Sequence, residues 1–285
     1  MGHAMAYLLG EKHQLSVWVR RQTENIQPVS LEKLVPDADI ILFCLPVIPH
    51  REIITRIKPF LHKQCLCISI AKGLDESGNT ASEIFSELLN NEYDFALLYG
   101  PMISEEICAN RYAFAQSGCR NSNAFNTVKQ VFKESQLYLT HTNDITGISW
   151  SVILKNVYAM IFGMADELQL GDNMRGFLAS ASLKELDQIV QFMGGQPGSP
   201  YDLAGIGDLI TTATSEDSHH HELGRKLARG DYNEIRGEGV HTLEMVKTHH
   251  LFKFNKYPLF QLIDNIVNNH QPAMHAIDTY LKKHF

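Results

Sequence analysis

Hydrophobic and polar positions along the chain follow two regimes. Up to about residue 143, short apolar runs alternate with amphipathic stretches. The continuous runs at 40–46, 66–70 and 95–99 are bounded by turn residues, the pattern of buried parallel strands. Residues 51–61 read as an amphipathic crossover helix, and 112–115 and 137–139 as further short strands. At the start, 2–10 carries small and apolar residues at helical spacing and closes on Gly10, suited to a C-terminal cap, with 14–19 a strand after it. Residues 143–147 form a joint, and from Ile148 onward the period is helical throughout, as in 179–186 and 262–267. The pattern predicts an α/β domain over 1–143 followed by an all-α domain over 144–285.

The joint leads into the run 149–163, whose Val152, Ile153, Val157, Met160 and Ile161 define a core helix with Lys155 inside it. A lysine among apolar neighbours either snorkels to water or is held as an amine beside a ligand or carboxylate. Periodicity leaves both open.

Composition narrows the function classes. At 285 residues, 44% hydrophobic and 20% charged, two ordinary globular domains are expected. A net charge of −7 argues against a general nucleic-acid binder, whereas an anionic small substrate needs only a local cationic pocket. Cys44, Cys65, Cys67, Cys108 and Cys119 are odd in number and fall mostly in strand-like runs, as free buried thiols in a reducing cytosol would. Cys65 and Cys67 share a strand face, but two ligands do not make a zinc site, and no metal is expected. No membrane span is expected, because no run reaches the ~18–20 apolar residues it needs, and the N-terminus lacks a charged region followed by an apolar core. The expected location is cytoplasmic.

Several motifs occur in order: Leu154-Lys155-Asn156-Val157, Gly171-Asp172-Asn173, Leu203-Ala204-Gly205-Ile206-Gly207-Asp208-Leu209 and Glu238-Gly239-Val240-His241-Thr242. Together they resemble the signatures of bacterial NAD(P)-dependent glycerol-3-phosphate dehydrogenases over nearly the whole chain. The resemblance implies a Rossmann-type dinucleotide-binding domain, a helical substrate domain, and a small phosphorylated substrate. It also implies interconversion of sn-glycerol 3-phosphate and dihydroxyacetone phosphate for phospholipid biosynthesis, with NADP or NAD as cofactor and a homodimer as a further expectation. In the G-x-G-x-x-G turn of such domains the third glycine opens the helix. Gly2 matches it, while the first strand and first two glycines have no counterpart here. Arg20 and Arg21 follow the 14–19 run where an acidic residue would hold the ribose of NAD; they suit a 2′-phosphate, or are simply solvated.

The same resemblance marks site residues. Lys155 becomes the proton donor, its pKa lowered from ~10.4 by burial and by Lys72. Asp208, otherwise a helix N-cap, would orient Lys155 and hold substrate hydroxyls, with Thr212 on the same helical face. Lys72, in Ala71-Lys72-Gly73 after a strand, would reach substrate and cofactor. Gly100, Asn156 and Ser218 are further substrate contacts, and Ser104 and Glu238 further cofactor contacts. Ser218-His219-His220-His221 stands where the family has S-R-N-R, so His219 and His220 would bind phosphate, recruited as cations near their ordinary pKa of ~6.5, with His219 also touching cofactor. Met102 replaces a hydroxyl, and Ser151-Val152 replace paired glycines beside the nicotinamide. These departures leave an alternative: a non-catalytic relative serving as a ligand-binding or interaction module.

Overall fold

Apolar runs too short to make helices pair instead as strands, because only a neighbouring ladder satisfies their backbone groups. The computed structural model describes residues 1–19, 29–90, 92–215 and 218–285. Its strands β1 (Ile40–Phe43), β2 (Leu66–Ser69), β3 (Phe95–Tyr99), β4 (Ala113–Gly118) and β5 (Leu137–Thr142) form one sheet in that order. All neighbours are parallel except β3 and β4, which run antiparallel. β1, β2 and β3 are thus parallel, as their continuous apolar runs predict, and the sheet becomes mixed at β4, since the link between β3 and β4 carries only the short helix α5 described below and returns the chain alongside. β2 and β3 are buried at every position, as their unbroken apolar sequence requires.

Helices α1 (Gly2–Leu9), α2 (Leu31–Leu34), α3 (His50–Ile57), α4 (Ala81–Leu89), α5 (Ser104–Cys108) and α6 (Ser122–Val131) accompany this sheet. α1 buries Ala4, Met5, Leu8 and Leu9 in one core with β2, β3, β4 and Met102. Gly10 ends α1 at φ −62°, a right-handed conformation, so it is not the left-handed cap expected. Residues 14–19 form no strand: Leu15 and Val17 are exposed, and no described strand pairs with them to supply a ladder.

The buried His50 joins the ends of β1 and β2. Its Nδ1 lies 2.9 Å from the Pro46 carbonyl, which can only accept, so Nδ1 carries the proton and Nε2 accepts from the Ser69 hydroxyl at 2.9 Å. Burial lowers its pKa to about 4, keeping the ring neutral.

Two compact units result, Met1–Ala71 with Ala81–Ile145, and Lys72–Thr80 with Thr146–Phe285. The excursion Lys72–Thr80, inside the stretch assigned by pattern to the first domain, belongs to the second unit. It folds back on itself through the Leu74–Thr80 bridge, and the Asp75 carboxylate accepts from the N–H groups of Ser77 and Asn79.

The second unit contains α7 (Ile145–Glu167), α8 (Gly171–Phe192), α9 (Asp208–Thr214), α10 (His219–Ala228), α11 (Glu238–Thr248), α12 (Pro258–Asn269) and α13 (Ala273–His284). α7 is its axis. At 23 residues and a mean hydropathy of 1.4 it is apolar and long enough to cross a membrane, yet 89% of that window is buried inside the protein. One carboxylate supports the packing from within: Glu185 on α8 accepts from the Tyr158 hydroxyl and from the N–H groups of Leu259 and Phe260, capping α12.

Candidate active site

Lys155 projects from the middle of α7 with only 4% of its surface exposed, so it does not snorkel. Its ammonium donates to the Thr212 hydroxyl at 2.5 Å and lies 3.2 Å from Asp208 Oδ2. The Thr212 hydroxyl donates in turn to the Asp208 carbonyl at 2.7 Å, leaving its oxygen free to accept from Lys155. Two of the three ammonium protons are engaged and the third is available to a substrate oxygen.

Asp208 is not the cap of its helix. A π-helical turn, Leu203–Gly207, delivers the chain into α9, and Gly207 occupies the cap position. The carboxylate, buried to 3% exposure, is thereby turned toward two amines, with Lys72 Nζ at 2.7 Å from the same Oδ2 that faces Lys155. The turn needs Gly205: a Cβ there would lie 2.0 Å from the Pro200 carbonyl oxygen, closer than any side chain is tolerated. Asn156, one residue after the lysine, donates to the Lys72 carbonyl at 3.2 Å and fixes the excursion against α7.

These contacts set the protonation states. Burial is the largest influence on Lys155 and lowers its pKa to about 8; Asp208 opposes the fall and Lys72 adds to it. Glu238 opens α11 with its carboxylate against Gly73, where a Cβ would come 1.7 Å from Oε2. Burial raises the Glu238 pKa to about 7, opposed by Lys155, and its side chain makes no hydrogen bond among the described residues.

The histidine triplet divides by environment. His219 is exposed and donates from Nε2 to the Arg236 carbonyl at 2.7 Å. His220 Nε2 accepts from the Gly239 N–H at 3.2 Å, and burial together with the positive fields of Lys155, His219 and Lys72 lowers its pKa to about 3. His220 is therefore not a cation recruited by phosphate near neutral pH; it offers a neutral Nδ1–H instead. His221 is buried and lies 2.8 Å from the Asp166 carboxylate. Ser218 caps α10, its oxygen accepting from the His221 N–H at 3.3 Å.

The second unit thus gathers Lys72, Lys155, Asn156, Asp208, Thr212, His220 and Glu238 from five separate segments. Gly2, Gly100 and Ser104 lie in the first unit. Gly2 opens α1 beside Cys44, 3.6 Å from a built Cβ, an ordinary contact, so alanine would also fit. Gly100 follows β3 at φ 155°, its Cα so close to β4 that a Cβ would meet the Phe114 carbonyl at 2.5 Å. Ser104 begins α5 and donates to Glu105. Met102 packs inward into the first unit's core. Ser151 and Val152 are fully buried along α7, the Ser151 hydroxyl bonding the Gly147 carbonyl. Arg20 and Arg21 lie outside the described residues. No group of three or more metal-ligating side chains occurs among the described residues. Cys108 is exposed on α5, unlike the buried Cys65, Cys67 and Cys119.

One contributor escaped the pattern. Gly224 of α10 and Gly163 of α7 let the two helices touch backbone to backbone: a Cβ on Gly224 would lie 2.0 Å from the Met160 carbonyl oxygen, and one on Gly163 2.0 Å from that of His221. The only sequence signal is an interior glycine in each helix.

Two family models match this chain. The C-terminal model of NAD-dependent glycerol-3-phosphate dehydrogenase covers residues 144–278 and the N-terminal model 24–125. A glycerol-3-phosphate dehydrogenase [NAD(P)+] of Clostridium botulinum (strain Eklund 17B / Type B) is 30% identical over 253 residues, 80% of this chain and 76% of that protein. One from Bacillus velezensis is 28% identical over 276 residues, 93% and 80% of the respective chains. Among solved structures, glycerol-3-phosphate dehydrogenase from Coxiella burnetii superposes with a TM-score of 0.82 at 22% identity, covering 98% of this chain and 95% of that one. The enzyme from Saccharomyces cerevisiae gives 0.72, also at 22% identity, over 88% and 78%. With both family models matched in order and a relative at 30% identity spanning most of either chain, the protein belongs to the NAD-dependent glycerol-3-phosphate dehydrogenase family.

Proposed function

We propose that the protein is a cytoplasmic oxidoreductase that interconverts sn-glycerol 3-phosphate and dihydroxyacetone phosphate with NADP or NAD, supplying phospholipid biosynthesis and working as a homodimer. The first domain would bind the dinucleotide and the helical domain the substrate. The observation that carries the reading is the buried Lys155 held between Asp208 and Thr212, with Lys72 on the same carboxylate. A pair of ligand-binding cations sharing one anion suits a substrate with hydroxyls and a phosphate, and a lysine whose pKa is near 8 suits proton transfer at neutral pH. That arrangement favours an enzyme over a non-catalytic binding module.

The residues fit a nicotinamide dinucleotide. The α1 N-terminus stands at the C-terminal end of β1, where ligands of open α/β sheets lie and a helix terminus favours phosphate. Gly2, Gly100 and Ser104 would serve the dinucleotide there. In the second unit the Glu238 carboxyl is an open acceptor for an amide or hydroxyl donor. When bound, the cofactor supplies the hydride.

The protein's own groups do the remainder. Protonated Lys155 donates its free N–H to the ketone oxygen and passes the proton as negative charge develops there. Asp208 holds the ammonium in place and keeps it protonated. Lys72 and Asn156 position the substrate, and His220 offers its Nδ1–H to the phosphate, whereas the N–H of His219 is already given to the Arg236 carbonyl. In the oxidative direction Lys155 accepts the proton and must start neutral.

A coupled pH dependence follows. Reduction of dihydroxyacetone phosphate should fall as pH rises through about 8, where Lys155 loses its proton, and glycerol 3-phosphate oxidation should rise over the same interval. In Asp208→Asn both limbs should move to lower pH, because the carboxylate that stabilises the charged amine is gone. Initial rates of nicotinamide absorbance change across pH 6 to 10 measure this; absence of any turnover of either substrate by the parental protein would overturn the reaction assigned.

Cofactor choice has its own measurement. If Arg20 and Arg21 meet a 2′-phosphate, calorimetric titration will give tighter binding of NADPH than of NADH, and Arg20→Ala with Arg21→Ala will remove the difference. Equal or tighter NADH binding by the parental protein would reject that role.

A further inference from the structure

We propose that Asp166 and His221 are positioning residues for substrate binding: together they fix the rotation of α10 that presents His220 to the phosphate. The assignment rests on His220 being the phosphate donor of the reaction proposed above.

Asp166 stands in the last turn of α7, and its two oxygens are divided between two other helices. Oδ1 accepts from Arg175 Nε of α8 at 2.6 Å, and Oδ2 lies 2.8 Å from His221 Nε2 of α10. A carboxylate only accepts, so Nε2 carries the proton and gives it to Asp166. Burial opposes the charge on Asp166, but Arg175 and His221 outweigh it and hold the carboxyl below its ordinary pKa, so the acceptor persists at neutral pH. Arg175 is steadied in turn by Asp172 Oδ1 at 2.7 Å, which gives the Gly171-Asp172-Asn173 motif a part in the arrangement.

The close crossing of α7 and α10 does not by itself decide where His220 stands. Gly163 and Gly224 let the two backbones approach, but contacts of that kind carry no direction, and a helix resting on them can still roll. A hydrogen bond does have a direction. Successive side chains of a helix project about 100° apart, so any roll that carried His221 off Asp166 would swing His220 through the same angle. His221 is only 5% exposed, and a bond made out of water holds its geometry firmly. The other polar tie between these helices, Arg229 to Glu167 at 3.3 Å, joins side chains 47 and 28% exposed and restrains little. On its own side His220 keeps one hydrogen bond among the described residues, Nε2 accepting from the Gly239 N–H at 3.2 Å. Both oxygens of Asp166 and the Nε2 proton of His221 are already spent, so the pair acts through His220.

Calorimetric titration with sn-glycerol 3-phosphate in the presence of reduced nicotinamide cofactor, a pair that does not react, reads affinity without turnover. His221→Leu should raise Kd about tenfold, the worth of one hydrogen bond to the phosphate. Its kcat for dihydroxyacetone phosphate should stay within about threefold, because Lys155, Asp208 and Thr212 are untouched. His221→Gln, whose amide nitrogen reaches the place of Nε2, should bind within about twofold of the parental protein. Asp166→Asn, a change of the same shape, should weaken binding in the same sense, since an amide cannot accept from both Arg175 and His221; it carries the test if the leucine variant fails to fold. His220→Ala should also raise Kd about tenfold, and adding His221→Leu to it should cost nothing more, because nothing remains to be positioned. Parental affinity in both His221→Leu and Asp166→Asn, equal weakening by leucine and glutamine at 221, or full additivity to about a hundredfold in the double variant would overturn the positioning role while leaving His220 as the phosphate donor. Parental affinity in His220→Ala, or no binding by the parental protein, would instead overturn the reading of His220 and the positioning role with it.

Discussion

Lys155→Met is expected to lower kcat for dihydroxyacetone phosphate reduction by about 10²–10⁴-fold, the usual worth of a positioned general acid. The protein should remain folded. Methionine has similar length, the site is almost wholly enclosed, and removing a buried amine relieves the cost that lowers its pKa to about 8. Asp208 keeps Lys72 as its counter-ion at 2.7 Å, so no buried carboxylate is left unpaired. Lys155→Arg should be nearly as inactive, because a guanidinium does not exchange its proton near neutral pH. Steady-state rates with a thermal melt on each variant decide the matter: turnover near the parental value in either one would remove Lys155 from the proton-transfer role.

The largest loss of stability is expected from Gly224→Ala. The added methyl would meet the Met160 carbonyl oxygen at 2.0 Å, its carbon at 2.9 Å and the Met164 nitrogen at 3.0 Å, all backbone of α7. Neither helix can yield by turning a side chain, so α10 must lift away from α7 and its buried Leu223 and Leu227 lose their packing. A cost of about 3 kcal/mol or more follows from this class of overpacking, a fall of about 10 °C in Tm for a chain of this size. Because α10 carries His220 to the Lys155 site, activity should fall before the melt begins. Gly176→Ala is the control: nothing lies within 4 Å of a Cβ there, and it sits inside α8, so alanine should hold or raise stability. If the two variants melt within about 2 °C of each other, the close helix crossing is not what Gly224 provides.

The two expectations differ in how far they could be seen in advance. Lys155 announces itself as a charge inside an apolar helical run, and the motifs around Asn156, Asp208 and Glu238 single out the residues that the fold brings to it. Gly224 carries no such mark. Its role exists only because α7 passes beside α10, two segments with all of α8 and α9 between them along the chain.

His220 and residues 14–19 show the same limit in the opposite sense. A histidine read from sequence has its ordinary pKa; here burial first, and then the positive fields of Lys155, His219 and Lys72, hold it neutral. An alternating stretch reads as a strand, yet becomes one only where a partner ladder stands beside it.

By itself, the sequence determined the elements that depend on local periodicity: the apolar runs of β1, β2 and β3, the helical second half, the approximate joint between them, and the residue types available for chemistry. Burial area and backbone hydrogen bonding act over a few residues at a time, so their pattern is written along the chain. Only the tertiary structure decided that β4 reverses against β3, that Lys72–Thr80 belongs with the helical unit, and that two amines share the single oxygen Asp208 Oδ2. Those are matters of distance between remote segments, and the Coulomb and desolvation effects that bring Lys155 near pKa 8 vary too steeply with distance and burial to be read from spacing along a chain.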